Sequence, residues 1–115
     1  MNIEQRISAL VTRFTKYEQW EDRYRELIQT GKKINGLAES EKEDKFKIRG
    51  CQSQVWLKPD YKDGVIHFHA DSDAVLVKGI IGLLIEVYSG ETPEGIMSQP
   101  PQFLKDIGIT EHLSM

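Results

Sequence analysis

One cysteine is present, and its neighbours set the first chemical question: Gly50-Cys51-Gln52-Ser53-Gln54-Val55-Trp56. A free cysteine kept for packing behaves as a small hydrophobe and stands among apolar residues. Cys51 instead follows a glycine and precedes three polar residues. Gly50 opens backbone conformations closed to other residues, as a sharply turned loop requires. Gln52, Ser53 and Gln54 supply donors that can hold an anionic sulfur. Lys45, Lys47 and Arg49 lie just upstream and favour the thiolate, the nucleophilic form of the side chain. The chemistry within reach is attack by sulfur. The local pattern alone leaves a reactive thiol and an inert one both open.

Other candidate groups are weaker. His67 and His69 stand at i and i+2, so both can face one way from a strand and, with Cys51, suggest a metal site or a Cys-His pair. No third well-spaced ligand or orienting carboxylate accompanies them, and they read as two partly exposed histidines on the polar face of a sheet. His112 stands alone near the end and reads as a surface residue. Glu18, Glu21 and Glu26 fall on a plainly amphipathic helix and do not form the carboxylate pair of a glycosidase. There is no glycine-rich phosphate loop.

Composition narrows the classes further. The chain has 115 residues, 39% hydrophobic and 29% charged, which suits one globular domain. Lys and Arg total 15 against 18 for Asp and Glu, a net charge of -3, so nucleic acid is not expected as a partner. One cysteine excludes an internal disulfide and a zinc site of several thiolates. The first ten residues carry Glu4 and Arg6 and contain no continuous apolar export segment. Gly79 to Ile85 is the longest nearly apolar run and is far too short to span a bilayer. A cytoplasmic location, with Cys51 kept reduced, is the expectation.

The elements that must position these groups follow from periodicity. Ile3, Ile7, Leu10, Val11 and Phe14 share one helical face. Thr15 with Glu18 fits a capping box for a second helix, whose stripe is Trp20, Tyr24, Leu27 and Ile28, with Gly31 at its end. Glu39 to Lys47 is a mixed charge run expected in an exposed turn. From Lys45 the period changes to two, which predicts a short strand ending at Gly50. A second strand follows Cys51, with Val55 and Leu57 on one face and Pro59 limiting its extent. Asp63-Gly64 signals a hairpin, and Val65 to Ala70 returns. Asp71, Ser72 and Asp73 offer helix-capping oxygens for a central buried helix from about Asp73 to Tyr88. Gly79 and Gly82, a turn apart on it, would let another backbone approach closely. Thr92-Pro93 starts another helix, and a last one holds Phe103, Leu104 and Ile107, with Gly108 at its end. The order predicts an α+β fold with a small antiparallel three-stranded sheet packed against helices.

The cysteine segment resembles the signature of the SufE family, sulfur acceptors that work with cysteine desulfurases. Asp71-Ser72-Asp73-Ala74, followed by Val77-Lys78-Gly79, resembles that family's second motif. Trp20-Glu21-Asp22-Arg23-Tyr24, with Ile28 and Gly31, resembles its early helix. Thr92-Pro93 and the segment Gly108 to Leu113 resemble its later landmarks, so the likeness covers almost the whole chain. Family members continue past this Leu-Ser segment into an Arg- and Asn-Gly-containing turn and a final helix. This sequence stops at Met115, and the expectation is a single SufE-like domain over 1–115 without that helix.

The resemblance implies a persulfide relay. Cys51 would accept the outer sulfur of a persulfide on a pyridoxal-phosphate desulfurase, stimulate that enzyme, and pass the sulfur to an iron–sulfur scaffold protein. The pyridoxal phosphate would belong to the desulfurase, and no cofactor or metal to this chain. Gly50 would let the loop swing, since the family's resting cysteine is thought to tuck inward and emerge on docking. Gln52, Ser53 and Gln54 would shape the loop and its sulfur environment. Asp71 and Asp73 match the second motif, either as simple helix caps or with a role near the cysteine loop. Trp56 is expected as packing and Lys78 as a solvated or docking charge. The competing classes are a free-standing thiol enzyme, such as a peroxidase or hydrolase, and a protein-binding module with an incidental cysteine.

Overall fold

The computed structural model describes residues 1–48 and 53–109. Gly50, Cys51 and Gln52 therefore lie outside the described residues, as do Arg49 and the segment beyond Ile109. The chain opens with helices α1 (Ile3–Thr15) and α2 (Trp20–Lys32), followed by two 3-10 turns at Glu39–Glu41 and Asp44–Phe46. Strands β1 (Val55–Lys62) and β2 (Val65–Ser72) form a hairpin, and helices α3 (Val75–Tyr88), α4 (Pro93–Met97) and α5 (Gln102–Asp106) complete the order. The α+β architecture is as expected, with two strands rather than three among the described residues.

The strand expected from Lys45 to Gly50 is corrected, over its described residues 45–48, to a turn and a single bridge. The amides of Phe46 and Lys47 donate to Glu43 and Asp44 carbonyls. Those 3-10 bonds occupy donors that a strand ladder would need. What remains is one antiparallel bridge between Lys47 and Trp56, closed by the Ile48 N–H donating to the Val55 carbonyl at 2.8 Å.

The hairpin is longer than its sequence suggested. Pro59 does not stop β1, because it pairs with Phe68 at a position whose backbone groups point away from the partner strand. The Phe68 N–H accordingly donates to Ser89 Oγ on the far side. A missing N–H at Pro59 thus removes no ladder bond. Asp63 and Gly64 both take positive φ, 54° and 81°, the requirement of a two-residue type I′ turn. β2 runs on to Ser72, so Asp71 and Ser72 are strand residues. α3 begins at Val75 after an Ala74 N-cap without a side-chain bond.

Burial explains the layers. Leu10 and Phe14 of α1, Leu27 of α2 and Leu83 and Val87 of α3 form the main core with Phe103, Ile107 and Ile109. A smaller cluster of Val55, Ala70 and Ile81 joins the sheet to α3. α2 does not end at Gly31, as the sequence suggested. It continues to Lys32 with Gly31 buried inside it, because this glycine faces α3. A Cβ on Gly31 would lie 2.8 Å from the Gly79 amide nitrogen, and one on Gly79 would lie 2.5 Å from the Leu27 carbonyl oxygen. The backbone approach expected at Gly79 is therefore made, by α2.

Two other local expectations fare differently. The Thr15–Glu18 capping box does not form: Thr15 is the last residue of α1 and its hydroxyl donates to the Val11 carbonyl at 2.7 Å. Gln19 is the N-cap of α2, without a side-chain bond. Thr92 does cap α4, accepting from the Gly95 N–H with Pro93 in the first turn. No helix among the described residues is long and apolar enough to cross a membrane.

Candidate functional site

The described flanks of the cysteine segment are held from two sides. On one side, the Ile48–Val55 bond and the Lys47–Trp56 bridge bring the chain before Cys51 against the chain after it. On the other, Asp73 holds Gln54. Its carboxylate accepts the Gln54 N–H at 3.0 Å, and its own N–H donates to the Gln54 carbonyl at 3.3 Å. Asp73 is thus not a helix cap. Its bonds cross from the start of α3 to the residue that leads out of the cysteine segment. Ser53 is half-buried and Gln54 exposed.

Asp71 lies directly opposite Trp56 in the ladder and is also not a cap. Its Oδ2 accepts the Leu37 N–H at 3.1 Å, and its Oδ1 accepts the Ser72 N–H at 2.8 Å. Lys42 Nζ stands 3.5 Å from Oδ2 and Lys78 Nζ 3.4 Å from Oδ1. Burial pushes this carboxyl up. The Leu37 and Ser72 amides and the charges of Lys78 and Lys42 outweigh that and hold it below its ordinary value. Lys78, expected as a solvated or docking charge, is therefore an ion-pair partner. Lys42 is held above its usual range, chiefly by its bond to Glu39 and in part by Asp71.

Trp56 is half-buried, with the Lys42 ammonium 5.2 Å from its ring centroid, within cation–π range. Lys58 beside it pairs with Glu41 at 3.0 Å, and that bond is the first cause of a lowered Glu41 carboxyl. The segment around residues 37–46 thereby lies along the polar face of β1. Sequence reading placed Glu39 to Lys47 in an exposed turn and missed its docking on β1 and Asp71. Its one local signal was Asn35-Gly36, a turn dipeptide. Gly36 takes φ 70°, and a Cβ there would stand 2.7 Å from Asp71 Oδ2.

On the opposite face the sheet and α3 enclose an apolar cleft of about 320 Å³. Ile48 and Val55, the two tied residues, line it with Leu57, Phe68, Ile81 and Ile85. His67 and His69 are both exposed, as expected for a polar sheet face. They sit opposite Asp60 and Lys58. No group of three or more His, Cys, Asp or Glu suited to a metal is found among the described residues.

Comparison with known proteins gives a consistent outcome. The family model described as "SufE: Fe-S metabolism associated domain" matches residues 8–115. An uncharacterized SufE-like protein of Synechocystis sp. is 36% identical over 94% of this chain and 68% of its own length. Uncharacterized SufE-like proteins of Rhizobium etli and Rhizobium meliloti are 34% and 32% identical over 94% of this chain, covering 76% and 81% of theirs. The solution structure of a hypothetical protein from Thermus thermophilus superposes with a TM-score of 0.74. It spans 92% of this chain and 77% of that one at 23% identity, a likeness of fold.

Proposed function

Because this chain belongs to the SufE family, whose domain is associated with Fe–S metabolism, we propose that it is a persulfide carrier with Cys51 as its sulfur acceptor. The Cys51 thiolate attacks the outer sulfur of a persulfide held on a cysteine desulfurase. The new S–S bond forms on Cys51, the old one breaks, and the desulfurase cysteine leaves as thiolate. Removing that sulfur frees the desulfurase for its next turnover, which is how the carrier stimulates it. An iron–sulfur scaffold protein is the receiver. The pyridoxal phosphate that releases sulfur from free cysteine belongs to the desulfurase. One cysteine suffices for the relay, and it cannot supply the usual four-thiolate ligation of a cluster. The chemistry needs a free thiol and therefore a reducing compartment such as the cytoplasm.

The observation that carries this reading is the two-sided hold on the cysteine segment. Ile48 is tied to Val55 and Gln54 to Asp73, so the residues on either side of the nucleophile leave from fixed points. The cleft lined by Ile48 and Val55 adds an apolar wall beside those points. An apolar wall limits water and competing thiols around a reactive sulfane sulfur. Gly50 supplies backbone freedom next to the nucleophile, and Gln52, Ser53 and Gln54 its polar surroundings.

Mass spectrometry tests the proposal directly. Incubation with a cysteine desulfurase and free cysteine, without reducing agent, adds one sulfur, about 32 Da, at Cys51. Cys51→Ser abolishes both the adduct and the stimulation of the desulfurase. An active desulfurase that leaves Cys51 unmodified would overturn the proposal. Activity of the chain on peroxide or ester without any partner protein would favour a free-standing thiol enzyme instead.

A further inference from the structure

Asp71 and Thr30 are the buried polar residues among those described. A buried carboxylate is costly unless it is paired and hydrogen-bonded, and Asp71 takes its partners from several stretches of chain. The Leu37 amide and Lys42 come from the segment after α2, the Ser72 amide from β2, and Lys78 from α3. A Cβ on Gly36 would stand 2.7 Å from Asp71 Oδ2, and its φ of 70° is one that side chains rarely adopt, so a larger residue there would displace the carboxylate. One carboxylate thus ties three stretches of chain together.

Two routes lead from Asp71 to the flanks of Cys51. One crosses the ladder to Trp56, which Lys42 covers from above, and reaches Val55. The other follows the Leu37–Lys42 segment to Lys47 and Ile48, which close back on Trp56 and Val55. We propose that Asp71 is a positioning residue for sulfur transfer. It fixes the Gly36–Ile48 segment against β1, so that the chain on both sides of Cys51 leaves from a set place. The inference rests on the reading of Cys51 as acceptor and adds to it a residue that acts through the described flanks of the cysteine segment.

The test uses the full chain and its Asp71→Asn variant, which keeps shape and loses charge. Single-turnover transfer from a persulfide-loaded cysteine desulfurase to Cys51 is followed by mass spectrometry, with amide hydrogen exchange as the second readout. The rate at saturating carrier is expected to fall about tenfold, the loss of charged hydrogen bonds, while the half-saturating concentration stays within about twofold. Exchange at Ile48 and Gln54 accelerates, and exchange at the core residues Leu27 and Leu83 does not. A wild-type saturating rate overturns the inference, as does a loss matched by equal acceleration of all these amides. Should Asp71→Asn fail to fold, Lys42→Met cuts the link to Trp56 and leaves the Asp71–Lys78 pair. It is expected to slow transfer about threefold, and an unchanged rate overturns the inference. Failure of wild-type Cys51 to take up sulfur refutes the acceptor reading itself, which is a different result from normal wild-type transfer with a normal variant.

Discussion

Gly79→Ala sets two effects of opposite sign against each other at the α2–α3 crossing. Alanine is the better helix former, worth roughly 1 kcal/mol at an interior helical position. The added Cβ, however, would stand 2.5 Å from the Leu27 carbonyl oxygen and 2.8 Å from Leu27 Cγ. The nearer atom is backbone, so no rotamer change relieves the clash. Restoring an ordinary contact requires α2 and α3 to part by roughly 1 Å, in a core that packs like a crystal. Overpacking of this kind costs about 1–3 kcal/mol and more where backbone must move. Loosened packing around Leu27, Leu83 and Val87 adds to it. The clash wins, and the net destabilisation is about 1–2 kcal/mol. In urea melts the midpoint should fall with little change in slope. Gly82→Ala is the internal control: its Cβ would meet Thr30 Cγ2 and O at 3.1 Å, a contact a small shift relieves, so its net effect should lie within about 0.5 kcal/mol of zero. A Gly79→Ala protein as stable as wild type, or more stable, would refute the close-approach argument.

The other predictions concern the hold on the cysteine segment and the caps. Asp73→Ala leaves the Gln54 N–H without its acceptor; amide exchange there should quicken about fivefold relative to Leu83, and an unchanged ratio would show that the bond does not persist in solution. The Asp71 carboxyl is depressed on folding, so its stabilisation is present above the unfolded value near 3.8 and is lost as pH falls through the lower folded value. Stability of the wild type should therefore decline more steeply below about pH 4 than that of Asp71→Asn, and parallel profiles in acid urea melts would contradict the assignment. Thr92→Ala removes the acceptor for the Gly95 N–H and should cost about 1 kcal/mol in the same melts, with no cost expected if α4 is held by packing alone.

Legibility in the sequence followed the range of the interaction. The Asp63–Gly64 turn and the Thr92–Pro93 start were readable because a few adjacent residues determine them. So was the backbone contact at Gly79, since two glycines in an apolar helix have few other uses. The period-two pattern from Lys45 misled because the Phe46 and Lys47 amides were taken first by the local carbonyls of Glu43 and Asp44. The Thr15 cap misled because its hydroxyl served the helix behind it rather than the one ahead. Gly31 looked like a stop when viewed along α2 alone, and only the facing helix explains it. At the site, the family signature pointed to Cys51, Asp71 and Asp73, whereas the oxygens of Asp71 and Asp73 could be read locally only as caps. Their partners at Leu37, Lys42 and Gln54 are 34, 29 and 19 residues away in sequence, and no periodicity reports such distances.

Pro59 bears on how this molecule meets others. A two-stranded ribbon has two outer edges, each able to template a further strand from another chain. The outer edge of β2 is occupied by the backbone after α3, through Ile66 with Glu91 and Gly90. The outer edge of β1 is occupied at its beginning by Lys47 and Ile48. In the middle of that edge stands Pro59, which has no N–H to offer, with Lys58 before it and Lys62 further along the strand. Both outer edges are thereby interrupted, β2 at Ile66 and β1 at its beginning and at Pro59. A strand from another chain would meet an edge missing a donor at its centre, which disfavours edge-to-edge pairing between copies and the aggregation it leads to.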